Sequence, residues 1–193
     1  MFAKVLFEFG GNRAHRRFYT FELPAEVGVL KLGQLVVVEG REEGEKSLGI
    51  FVAAFKVDVE AMQDPDKFPF RKKIIKKAHK NSLNALVKKR YELFKDIEIT
   101  KAPYKKYRKE FKNNAQMEKS DIRKHLIRNL IVAAELVGKA DGRKRVFRFG
   151  NMQMIVKENR LVDLIALPNK KIHWVRPQEL VEIATNYVYK IES

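Results

Sequence analysis

The apolar residues of this chain change their spacing along its length, and that change constrains the fold more than any other feature. Up to about residue 57 they alternate, and between 82 and 96 they recur every three or four residues. The helical spacing returns between 120 and 137, and alternation returns from 145 to 167. Period two marks strands with one buried face; a period near 3.6 marks amphipathic helices. Strands that cluster in groups, rather than alternating singly with helices, predict an α+β protein.

Within residues 1–60, Ala3–Phe9, Arg17–Leu23, Gln34–Glu39 and Leu48–Val57 read as short strands. Gly10-Gly11, Pro24 and Gly28 break them, and Gly40–Ser47 suits an exposed hairpin tip. Four short strands with turns between them predict a small antiparallel β-barrel. Residues 61–119 read as a basic linking segment. Val57–Pro69 is an acidic, proline-bearing connector, and Arg71–Ala78 fits an edge strand or the start of a helix. Lysines there would guard an edge strand against mispairing. Asn81 or Ser82 then caps a helix over 82–96, carried by Leu83, Leu86, Val87, Leu93, Phe94 and Ile97. Residues 100–119 are polar and basic with aromatics interleaved.

Residues 120–193 read as helix, three-stranded meander, helix. Ser120 caps a helix running to about Val137, where Gly138 ends it. Arg145–Phe149, Met152–Lys157 and Leu161–Leu167 form the meander, turning at Gly150-Asn151 and at Glu158-Asn159-Arg160. Pro177 opens the last helix, whose buried face is Leu180, Ile183, Ala184, Tyr187, Val188 and Ile191.

The net charge of +16 is concentrated. Residues 1–60 carry −1, residues 61–130 carry +13 and residues 131–193 carry +4. A polyanion is the partner such a field implies, DNA or RNA above all. The candidate nucleic-acid contacts are Lys72, Lys73, Lys76, Lys77, Lys80, Lys88, Lys89 and Arg90, then Tyr104, Lys105, Lys106, Tyr107, Arg108, Lys109 and Lys112. Lysine and arginine neutralise phosphates and release counterions, and tyrosines stack on unpaired bases. Lysine outnumbers arginine, which favours backbone contact over base reading. Arg143, Lys144 and Arg145, with Arg148, form a second basic patch. Trp174, beside His173 and Arg176, fits either base stacking or a core anchor.

Several function classes are excluded. There are no cysteines, hence no disulfides, thiol nucleophiles or Cys-based metal sites. Phosphate-binding loops, dinucleotide fingerprints and serine-hydrolase elbows are missing. His15, His79, His125 and His173 have no metal-ligand spacing, and Asp58, Glu60, Asp64 and Asp66 crowd an exposed connector rather than a strand. No cofactor and no metal is expected. No apolar run approaches the roughly 20 residues of a membrane span, so the expected location is the cytoplasm.

The run YTFELP…LKLGQLVVVEG…LGIFVAAF resembles the small barrel at the N-terminus of the primosomal helicase PriA. It is also similar to barrels of PSP1-type proteins and many phage-encoded small proteins. Leu30–Val38 matches their outline L-K-x-G-x-x-V-V-V, in which the glycine, here Gly33, makes a tight turn into a strand. The segment RKKIIKKAHKNSLNALVKKRYELF resembles the continuation in PSP1-type chains, so the likeness covers about residues 1–95. In PriA the barrel is implicated in binding a DNA 3′ end; the net −1 of residues 1–60 carries no phosphate-binding residue over. The resemblance implies a barrel and a phage-like origin.

Three functions fit these features. The first is a non-enzymatic nucleic-acid-binding protein. The second is a phage-type anti-defence inhibitor docking on an acidic surface of a host nucleic-acid-handling protein. The third is a metal-independent RNase, because the order helix, basic turn, meander is similar to small toxin-type nucleases. Its candidate catalytic groups are His125, Arg145, Arg148 and His173.

Overall fold

Alternation in the first part of the chain produces a five-stranded sheet. Its strands are β1 (Phe2–Leu6), β2 (Phe18–Glu22), β3 (Leu35–Glu39), β4 (Lys46–Phe55) and β5 (Ile74–Lys77). The order is β2-β1-β4-β3-β5, antiparallel at every step. The computed structural model describes residues 1–7, 18–40, 42–56, 72–111, 116–136, 144–167 and 177–192.

The expected four-stranded barrel is corrected in two respects. A fifth strand comes from the segment read as a linker: Ile74 pairs with Val38 and is fully buried. Two apolar residues among lysines carry too little pattern to separate strand from helix in sequence. Nor, among the described residues, does a ladder close the sheet. Its edge strands meet at one parallel bridge, Glu22–Lys73, where the Glu22 N–H donates to the Lys72 carbonyl at 2.9 Å. Gly33 takes φ +83° on entering β3 and donates its N–H to the Phe51 carbonyl at 2.9 Å. That conformation suits glycine.

A second five-stranded sheet holds β6 (Glu98–Ile99), β7 (Ala134–Glu135), β8 (Lys144–Phe149), β9 (Met152–Lys157) and β10 (Arg160–Ala166). Its order is β6-β10-β9-β8-β7, with only β6 parallel to its neighbour. The three-stranded meander is β8–β10, as the sequence predicts. Glu158 (φ 49°) and Asn159 (φ 54°) both occupy the left-handed region, the requirement of a two-residue hairpin of type I′.

The helices are α1 (Lys80–Phe94), α2 (Lys101–Glu110), α3 (Lys119–Val132) and α4 (Gln178–Ile191). The expected caps of α1 are replaced by His79, whose Nδ1 accepts from the Asn81 N–H at 3.3 Å. α2 occupies a stretch with no apolar stripe obvious in sequence. Pro103 sits in its first turn, where no N–H is needed, and Pro103, Tyr107 and Phe111 at four-residue spacing give it a buried face. α3 stops at Val132 instead of Val137. Its apolar period continues, but Ala133 turns extended (ψ 150°) and the chain pairs with β8 as β7. Tertiary pairing overrides periodicity there.

The two sheets share one core. Leu6, Ile50 and Leu35 lie side by side across β1, β4 and β3. That row belongs to the same buried cluster as Leu83 and Val87 of α1, Leu126 and Leu130 of α3, and Met154 and Leu161 of the second sheet. Residues of opposite parity, including Val5, Phe21, Val36, Val38, Phe51 and Ile74, form a smaller cluster on the other face of the first sheet.

Candidate nucleic-acid interface

The cations of the central segment divide into those the fold engages and those it leaves in solvent. On α2, Lys101, Lys105, Arg108 and Lys109 recur at four, three and one residues, so they share one face. The opposite face carries Pro103 and Tyr107, both buried. Lys101, Lys105 and Lys109 are exposed and have no ion-pair partner among the described residues. Glu110, the only acid on the helix, lies on the far side, toward Lys106. The Arg108 guanidinium instead binds the Met117 carbonyl through Nε (3.2 Å) and Nη2 (2.9 Å). Lys106 pairs with Asp163 at 2.7 Å. Lys101, which is not among the predicted contacts, joins this exposed face by standing four residues before Lys105.

The lysines of β5 and α1 are more mixed. Lys76 and Lys77 are exposed on an edge strand. The Lys72 ammonium binds the Gly40 carbonyl, and the Lys73 N–H donates to Glu39 Oε2 at 2.9 Å. Lys80, Lys88 and Lys89 are exposed on α1, but Glu92 lies one turn from both Lys88 and Lys89 and pairs with Lys95 at 2.7 Å. α1 packs on α3 and α4, whereas α2 packs on β10 and α3, so the two helices offer their lysines from different places.

Four predicted contacts are engaged by other groups of the fold. Arg90 donates through Nη2 to the carbonyls of Leu130 (3.2 Å) and Ala133 (2.7 Å), capping α3. Burial pulls its pKa down to about 10, opposed by Glu135 and reinforced by Arg145. Tyr107 is 4% exposed and stacks on Phe111 with centroids 5.6 Å apart, which leaves no face for a base. Arg145 forks onto Glu135 at 2.7 and 2.8 Å, which lowers the Glu135 pKa, and lies over the Phe147 ring. Arg148 is 8% exposed and donates to the Gly150 carbonyl at 3.1 Å. Tyr104 is half-buried beneath the Lys119 ammonium, 5.1 Å from its ring centre. Lys144 is exposed at the start of β8. Lys112, Arg143 and His173 lie outside the described residues, as do Trp174, Arg176 and the acids of the connector.

Among the described residues, the candidate nuclease groups His125 and Arg145 stand apart. His125 sits midway along α3, and its Nδ1 meets the Tyr107 hydroxyl at 2.9 Å. Burial holds its pKa below the ordinary 6.5, and Arg128 adds to this against Asp121. Arg145 and its partner Glu135 lie beyond the far end of α3, about 10 Å of helix away. Arg145 lines a different feature, an open groove of about 400 Å³ with Leu93, Phe94, Ile97, Val156, Glu158 and Asn159. Among the described residues, no cluster of three or more acids and histidines could hold a metal, and no helix is long and apolar enough to cross a membrane.

Residues 97–183 match a family model described as YorE. The matched stretch is less than half the chain; it takes in α2, α3 and the second sheet but not the first sheet or α1. No curated protein and no solved structure matches the chain.

Proposed function

We propose that this is a non-enzymatic nucleic-acid-binding protein that grips phosphates, largely independent of sequence, through the lysine face of α2. The observation that carries this reading is Lys101, Lys105 and Lys109 on one acid-free helical face, with Arg108 fixed between them. Three ammonium groups held apart by a helix buried on its other side neutralise backbone charge at little cost in ordering. Lys88, Lys89, Lys76 and Lys77 widen the field around that contact. In this reading the first sheet is a small barrel of the PriA and PSP1 kind, its edges drawn together at Glu22–Lys73, and serves as scaffold. A phage or mobile-element origin and a cytoplasmic location belong to the same reading, and the match to YorE, a phage-type family, agrees with it.

The test is fluorescence anisotropy with labelled single- and double-stranded DNA and RNA across a salt series. Affinity falls steeply with salt. The variant K101Q/K105Q/K109Q weakens binding to all sequences alike and reduces the log–log salt slope by about 2 to 3. An unchanged slope, or wild-type binding indifferent to salt, overturns the reading.

A further inference from the structure

One face of α3 turns outward between α2 and α4. Asp121, Lys124, His125 and Arg128 recur on it at three- and four-residue spacing, all half-buried. Tyr107 of α2 and Tyr189 of α4 flank the row. The His125 ring centre lies 6.1 Å from that of Tyr107 and 6.2 Å from that of Tyr189, and the Lys124 ammonium lies 5.4 Å over the Tyr189 ring. Arg128 is anchored through Nε and Nη2 on Asn129 Oδ1, at 3.1 and 2.8 Å.

His125 is fixed through one nitrogen only. Nδ1 is engaged by the Tyr107 hydroxyl. Among the described residues Nε2 has no hydrogen-bond partner and no buried polar side-chain atom lacks one, so Nε2 opens to solvent. An oriented imidazole N–H between an ammonium and a guanidinium, each about one helical turn or less away, is a donor set for a tetrahedral oxyanion.

We propose that Lys124, His125 and Arg128 bind a phosphate group on the outward face of α3. The site is separate from the α2 lysine face and does not depend on it. Asp121, one turn earlier, is its internal competitor: it draws on the same cations and repels the ligand. Burial and Arg128 favour the neutral imidazole. A phosphate reverses the balance by stabilising the imidazolium, so binding takes up a proton on the imidazole ring.

The experiment follows the imidazole resonances of the full, ¹⁵N-labelled chain across pH, in inorganic phosphate and in sodium chloride at matched ionic strength. Phosphate raises the His125 pKa by about half a unit to one unit and chloride does not. K124Q reduces that rise, and D121N strengthens phosphate binding. K101Q/K105Q/K109Q leaves the rise intact, so failure here is distinguishable from failure of the α2 reading. A short oligonucleotide with and without a 5′-phosphate identifies the source: a rise with the phosphorylated strand alone assigns a terminal phosphate, and a rise with both assigns the backbone. A His125 pKa that moves no further in phosphate than in chloride overturns the proposal.

Discussion

Arg90 and Arg123 cap each other's helices. Arg90 of α1 reaches the last carbonyls of α3, while Arg123 of α3 donates to the carbonyls of Ile97 (2.9 Å) and Lys95 (2.6 Å) just past the end of α1. Carbonyls that end a helix lack intrahelical donors and carry its negative pole, so a guanidinium at each end satisfies both needs. Removing Arg90 leaves those carbonyls buried and short of a donor. Arg90→Met therefore costs about 2 to 3 kcal/mol in urea unfolding, while affinity for nucleic acid per folded molecule stays at the wild-type value. Arg90→Lys recovers only part of the stability, because an ammonium is more strongly hydrated than a guanidinium and loses more on burial.

The common core makes the first sheet part of one cooperative unit. Ile50 is fully buried between Leu6 and Leu35. Ile50→Ala costs about 2 to 5 kcal/mol, and a probe on β4 and a probe on α4 report the same shifted midpoint. Two separated transitions would show that the sheets unfold independently.

His125 makes stability fall on the acid side. Its folded pKa lies below the ordinary 6.5, so between the two values the unfolded chain holds more proton than the folded one. The contribution is complete above 6.5 and is lost as pH drops through the depressed value. Urea midpoints measured from pH 7.5 downward in chloride buffers show this slope, and His125→Gln flattens it. Tyr107→Phe removes the hydroxyl partner and costs about 1 kcal/mol at neutral pH.

Tyr91 acts at the alkaline end. Burial raises its phenol to about 12, helped by the charge of Glu192 and a 3.2 Å hydrogen bond to it. The unfolded tyrosine ionises near 10, so stability declines as pH rises from 10 toward about 12. Burial also raises the phenols of Tyr104, Tyr107 and Tyr189, so ultraviolet titration finds several late phenols, and Tyr91→Phe removes one of them.

What sequence could and could not disclose follows from the range of each interaction. The meander was legible because its turns are local: Glu158-Asn159 and Gly150 adopt their conformations within a few residues. The row Leu83, Val87, Phe94 announced α1, yet Leu93 on the same helix is 58% exposed, since periodicity does not say how wide the covered stripe is. α2 was hidden because lysines surround its buried Tyr107; the four-residue spacing from Pro103 to Phe111 was the only sign. In sequence Arg90 looks like a phosphate ligand, because a basic run is the same whether its members face water or a helix end. Its true partners lie 40 and 43 residues further on. The charge asymmetry pointed to this segment, but only the packing of α2 separates the exposed Lys105 and Lys109 from the engaged Lys106, Arg108 and Tyr107.

The contact between Tyr91 and Glu192 has a consequence in time. The two residues stand 101 positions apart, and Glu192 also approaches Arg123 at 3.5 Å. α1, α3 and α4 are thus fastened by a partner that reaches them only after every intervening element has been made. Loop closure over that distance precedes any gain from the contact, which marks the junction as a late event in folding. Until then the inner faces of α1 and α3 lack the apolar residues of α4, and the half-made chain passes through a stage in which its most hydrophobic surfaces are open to the wrong neighbours.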